Sequence, residues 1–313
     1  MNIFVNPDDQ RLRAGWRIIL QLLLFMLLVT GLMIANSVLA SGGSLKLYDA
    51  LLMGFAGVMS VWVAARAWDK RPLKEYGLSR DKIWFKELGF GLALGLVAMV
   101  IIFGIEWAAG WIEITGFGWE RSSSIPYAVW IFSYFIAMII IGFYEELMFR
   151  GYQMVNLVEG FQTERTTIYR AAFIAVAVSS IIFGLLHSWN PNATVISTVN
   201  IVFAGIMLAI PYLVTGSIAI SVGIHISWNF VQGGLLGFPV SGTSFRGSLI
   251  QIRQAGDTYL TGGSFGPEAG LLGILGMLII LTIFLWYARK ISGGLAVHSS
   301  FKNGSPKSAN QDE

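Results

Sequence analysis

Cysteine is absent from the sequence, which excludes disulfide scaffolding, thiolate metal sites and cysteine nucleophiles. Charge is scarce as well. Only 12% of the 313 residues are Asp, Glu, Lys or Arg, and 55% are hydrophobic, whereas about a quarter of a soluble domain is charged. Histidine occurs three times, so chemistry that needs imidazole has few candidates.

Long apolar runs fill the chain instead. About 20 apolar residues are needed to cross a hydrocarbon core as a helix. Runs of that kind fall near 16–40, 47–68, 84–108, 128–157, 168–190, 193–215, 217–236 and 267–288. They predict an all-α, polytopic transmembrane helical bundle of about eight spans. The first run follows Arg11, Arg13 and Arg17 but is longer than a signal-peptide core, and reads as a retained helix.

Flanking charge sets the orientation. With the N-terminus inside, 17 of the 21 Lys and Arg residues fall in inside joints and 4 in outside ones, so both termini are expected in the cytoplasm. The formal charge of +3 then expresses topology, and no nucleic-acid partner is expected.

Trp107, Trp111, Trp119 and Trp130 suit an interfacial aromatic belt. Gly91 with Gly95, and Gly266 with Gly270, are small pairs at which helices can approach closely. The divisions expected are an N-terminal three-helix region (1–124), a helical core (125–236), a long extracytoplasmic loop with the last span (237–298), and a polar, disordered tail (299–313). Within the third, the joint 237–266 reads as a solvated loop.

Ionisable groups inside spanning helices cost several kcal/mol on insertion scales, so they are normally paired, buried or functional. Three clusters carry them. In GFYEELMFRG, Glu146 and Arg150 are four apart, the favourable order for an ion pair on one helix face. Glu145 lies about 100° round the helix and is free to point elsewhere. FGLLH ends at His187, and HISWN places His225 and Asn229 on one face. Taken singly, each cluster also suits a solvated helix end or a structural hydrogen bond. Brought together, a carboxylate, two imidazoles and an amide are the inventory for activating water and stabilising an oxyanion.

These three motifs, Glu145-Glu146-x-x-x-Arg150, Phe183-x-x-x-His187 and His225-x-x-x-Asn229, resemble those of the CAAX protease and bacteriocin-processing family of intramembrane endopeptidases, which includes the type II CAAX prenyl proteases. The resemblance covers about 125–235. It implies a peptidase acting on membrane-associated or lipid-modified proteins, embedded in lipid in a bacterial-type cell membrane. It further implies that Glu145 with His187 holds and deprotonates water, that His225 and Asn229 face the oxyanion, and that Glu146 and Arg150 support them. The family is described both as metal-dependent and as a glutamate-type protease. The cofactor is thus none or one divalent metal, zinc by preference, with Glu145, His187 and His225 as its ligands. No HExxH is present, and Asn is a poor zinc ligand but a good oxyanion donor, which favours the metal-free form.

Geometry adds a condition. If the fourth helix ended near Tyr144, Glu145 and His187 would lie roughly 20 Å apart in depth. The helix must therefore continue through Leu157, bringing Glu145 to middle depth and burying Arg150 against Glu146. A proton-coupled transporter and a non-catalytic scaffold or immunity protein are the alternative readings.

Overall fold

The computed structural model describes residues 3–7, 9–39, 46–120, 125–292 and 295–301; for 36–39, 46 and 291–292 only the backbone is described. Arg121, the division at 124 and the expected tail from 302 onward lie outside the described residues. Ser299–Phe301 close a short turn whose Phe301 ring packs on Tyr212.

Helices dominate, as the apolar runs predict. They are α1 (Ala14–Leu39), α2 (Lys46–Ala64, extended by a π turn Ala65–Asp69), α3 (Lys82–Ala108), α4 (Tyr127–Glu146, extended by a π turn Leu147–Gln153), α5 (Met154–Phe161), α6 (Ile168–His187), α7 (Val195–Thr215), α8 (Ala219–Asn229, extended by a π turn Phe230–Leu235), a short α9 (Thr258–Thr261) and α10 (Leu271–Ser292). Seven helical segments among the described residues are long and apolar enough to cross a membrane. The eighth expected span, 217–236, is the exception. Its 11 α-helical and 6 π-helical residues rise only about 26 Å, and every residue from Ala219 to Trp228 is buried. Packed against α3, α4 and α7, α8 is the central helix of the bundle.

Small residues make that position possible. Gly91 and Gly95 of α3 lie against the backbone of Ile220 and Ile224 in α8, while Gly223 of α8 meets Leu88 of α3 and Gly142 of α4 meets Ile226. A side chain at any of these sites would push α8 away. Gly95→Val is expected to destabilise the protein by about 1–3 kcal/mol through overpacking, read as a lower midpoint of thermal aggregation in detergent. The same change at Gly104, with open space around it, serves as the control.

Gly266 and Gly270 do not form the expected helix contact. Both precede α10; Gly266 sits at φ 121, a conformation open to glycine, and Gly270 abuts the backbone of Leu260 and Gly262. The joint 237–266 is also more ordered than a solvated loop. Its strand β2 (Ile250–Gln254) pairs antiparallel with β1 (Ile112–Phe117), the stretch after α3.

The arginines counted as topogenic do more than mark a face. Arg11, Arg17 and Arg71 are 2%, 1% and 4% exposed and converge on two acids. Asp69 takes Arg11 at 2.7 Å, and also Arg17; Glu159 takes Arg11 at 2.9 Å, Arg17 at 2.5 Å and Arg71 at 2.6 Å. Tyr76 and Asn156 donate to the other oxygen of Asp69. Burial, and then the Asp69 carboxylate, hold the Tyr76 phenol far above its ordinary pKa. This clamp joins the start of α1, the end of α2 and the end of α5. Asp69→Ala takes one of two carboxylates from three buried guanidiniums, leaving Glu159 to face all of them, and is expected to cost about 3–5 kcal/mol, measured as lost folded yield.

Candidate active site

Helix α4 carries the first motif. It is continuous from Tyr127 to Phe161 over 35 residues, as the depth argument requires. Glu145 is sixteen residues before Phe161 and His187 nineteen after Ile168. At 1.5 Å per residue these are roughly 24 and 28 Å from the α5–α6 turn, so the two side chains share a level. The π turn begins directly after Glu146; such turns replace part of the regular ladder and recur at functional sites.

Glu146 is fully buried and Arg150 is 1% exposed. The Arg150 guanidinium donates to Glu146 Oε1 at 3.0 Å and to the Gly205 carbonyl of α7 at 3.4 Å, and stands 4.3 Å over the Phe183 ring. The predicted ion pair is present. Glu146 has a second partner that the sequence does not reveal. His225 Nδ1 lies 2.8 Å from the same Oε1. A carboxylate only accepts, so Nδ1 carries the proton and Nε2 is turned away from Glu146.

That Nε2 faces Glu145, whose Oε2 is 3.8 Å away. The gap is too long for a direct hydrogen bond and short enough for one bridging water. Tyr144 donates its hydroxyl to Glu145 Oε1 at 3.2 Å, whereas Oε2 is buried with no hydrogen-bond partner among the described residues.

Helix α6 brings the second imidazole. His187 Nδ1 donates to the Phe183 carbonyl at 2.8 Å, and the two rings lie 4.5 Å apart. Phe183 is itself wedged edge-on against Phe149 of the π turn, and the Ser179 hydroxyl donates to the Phe149 carbonyl at 3.1 Å. Phe183 therefore sets the tautomer of His187, its ring position and the seat of Arg150. Its i, i+4 spacing from His187 was the available signal. With Nδ1 bonded in both histidines, each Nε2 carries the ring's lone pair.

Glu145, His187, His225 and Asn229 all line one cavity of about 630 Å³. Methionines 26, 53, 138, 148, 207 and 277 also line it, and such flexible thioethers adapt to irregular apolar ligands. Glu268, outside all three motifs, is a further cavity residue; nothing in its sequence context marked it.

Among the described residues no three His, Asp or Glu side chains stand as a group that could hold a metal ion. The Nδ1 bonds to Glu146 and to the Phe183 carbonyl are nonetheless of the kind a metal-ligating histidine makes through its second nitrogen.

No curated protein matches the chain. A family model does, described as type II CAAX prenyl endopeptidase Rce1-like, over residues 127–231. The matched stretch runs from the start of α4 into the π turn after Asn229 and contains all three motifs. Over residues 127–231 the chain thus matches the Rce1-like family of type II CAAX prenyl endopeptidases, the family that its three motifs resemble.

Proposed function

We propose that this integral, multi-pass membrane protein hydrolyses peptide bonds of membrane-associated or lipid-modified proteins with a water held between Glu145 and the imidazoles. The observation that carries the reading is the 3.8 Å separation of Glu145 Oε2 from His225 Nε2 inside a cavity that His187 and Asn229 also line. Two acceptors facing across such a gap repel unless a donor stands between them, and water can donate a hydrogen to each.

Glu145 takes the proton of the attacking water, with His187 as its partner. As the tetrahedral intermediate forms, negative charge grows on the former carbonyl oxygen. The Asn229 amide and His225 face that oxygen; the proton taken by Glu145 passes on to His225 Nε2, 3.8 Å from Glu145 Oε2, and the resulting imidazolium, stabilised by the Glu146 carboxylate on Nδ1, donates from Nε2. Arg150 pairs with Glu146, and both termini face the cytoplasm. The test compares C-terminal fragments of membrane proteins between cells carrying the intact chain and cells carrying Glu145→Ala. Fragments that depend on the intact chain support hydrolysis; identical fragment sets refute it.

A further inference from the structure

The chain beyond the family match folds back over the cavity. Val240, Ser241 and Thr243, from the segment after α8, and Glu268, from the turn Pro267–Ala269 before α10, line the same space as His225 and Asn229. Pro239 and Ala269, their neighbours in sequence, line a second, outer hollow of about 1030 Å³. This one segment thus forms a wall shared by the two.

Glu268 ties that wall together. It is 3% exposed. Its Oε1 accepts from the Ser241 backbone N–H at 2.5 Å and faces the Ser241 hydroxyl at 3.4 Å. Its Oε2 accepts from the Gln232 amide. Gln232 lies on the π turn three residues past Asn229; its side-chain amide also donates to the Pro239 carbonyl at 2.5 Å, and its backbone carbonyl accepts from Phe238 N–H at 3.0 Å. All three groups facing the carboxylate are hydrogen-bond donors. Burying a carboxylate is unfavourable unless such donors compensate it, and charge-assisted bonds of this kind are about twice as strong as neutral ones.

The geometry points to Glu268 as a positioning residue of the reaction: it latches the 239–243 strap over the cavity and fixes the turn that directly follows Asn229. The assignment rests on the hydrolytic reading for its catalytic meaning. The amide of Glu268→Gln keeps the shape but puts a donor where one of the accepting oxygens stood, so either Ser241 or Gln232 loses its partner and the strap is freed at one end.

A chain without cysteine allows a direct test. Thr243→Cys installs a single thiol on the cavity side of the strap, and its reaction with a maleimide reagent in proteoliposomes reports strap opening. Adding Glu268→Gln is expected to speed labelling roughly tenfold, the effect of losing a hydrogen bond to a charged group. Adding Gln232→Glu as well reverses donor and acceptor at residue 268 but sets a carboxylate against the Pro239 carbonyl that Gln232 holds, so labelling is expected to stay fast. Labelling unaffected by Glu268→Gln, or returned to the parent rate in the reversed pair, overturns the latch.

Turnover is followed, without the thiol, on a fragment released by the intact chain and not by Glu145→Ala. Glu268→Gln is expected to lower kcat roughly tenfold at unchanged KM; unchanged kcat overturns the positioning role. If the intact chain releases no such fragment, the hydrolytic reading fails by itself, and the labelling result still decides the latch.

Discussion

Glu145→Gln is expected to lower turnover by roughly a hundredfold to ten-thousandfold, the range attributed to a positioned general base, while leaving insertion and thermal stability unchanged. The two halves of this expectation have separate causes. Structurally the amide is tolerated: the side chain is 14% exposed, takes no part in the Glu146–Arg150 ion pair, and can still accept from Tyr144 through its oxygen. Chemically it fails, because a neutral amide cannot take a proton from water. The loss should appear in kcat with KM little changed, since Glu145 acts on the water and not on the substrate's binding surface. Single-turnover measurements on purified, reconstituted protein would check it, and turnover within about threefold of the parent would remove Glu145 from the chemistry.

The catalytic candidates were legible in the sequence because charged residues are so rare among these apolar runs. Glu145, His187, His225 and Asn229 stood out by type, and the cavity gathers all four. The Glu146–Arg150 pair was legible because i, i+4 spacing is a local property of a helix. The bond from Glu146 to His225 was not, because it joins residues 79 apart and depends on how α4 and α8 are rotated against each other. Glu146 therefore reads from sequence as a brace for Arg150, and from structure also as the residue that sets the His225 tautomer. The directions of the two imidazoles have two different sources: the Phe183 carbonyl, one turn back in the same helix, holds Nδ1 of His187, whereas Nδ1 of His225 is held across helices by Glu146.

The fold was legible to the extent that apolar length determines it. Seven of the eight expected spans meet the length and hydropathy of a crossing helix. The eighth, α8, was apolar for another reason: it is enclosed by protein, and burial in a core and burial in lipid select the same residues. The sheet was missed because β1 follows α3 closely, and because β2 lies in a stretch rich in Gly, Ser and Thr, where turn residues dominate the local pattern. The clamp around Asp69 was hidden for a related reason. Positive charge beside an apolar run signals orientation whether or not the arginines later find buried acids.

Removing Glu146 should have the larger effect on stability, and a second substitution separates its two roles. Glu146→Ala leaves Arg150, 1% exposed, without its ion pair. Breaking a buried pair from one side typically costs about 3–5 kcal/mol, a large share of the stability of most proteins. It also frees His225 from its 2.8 Å anchor. Loss of activity in this variant would therefore not distinguish misfolding from misorientation. Removing both charges does, because well-packed neutral groups can replace a buried ion pair at little cost. Glu146→Gln combined with Arg150→Met is expected to recover most of the thermal stability lost in Glu146→Ala, since the Gln oxygen still accepts from His225 Nδ1. Turnover should stay roughly tenfold or more below the parent, because a neutral amide stabilises the imidazolium far less than a carboxylate does. Thermal shift and turnover measured on the same preparations decide the matter: full activity in the stable double variant would reduce Glu146 to a structural partner of Arg150, whereas recovered stability with persistent loss of kcat would establish it as the residue that prepares His225 for the oxyanion.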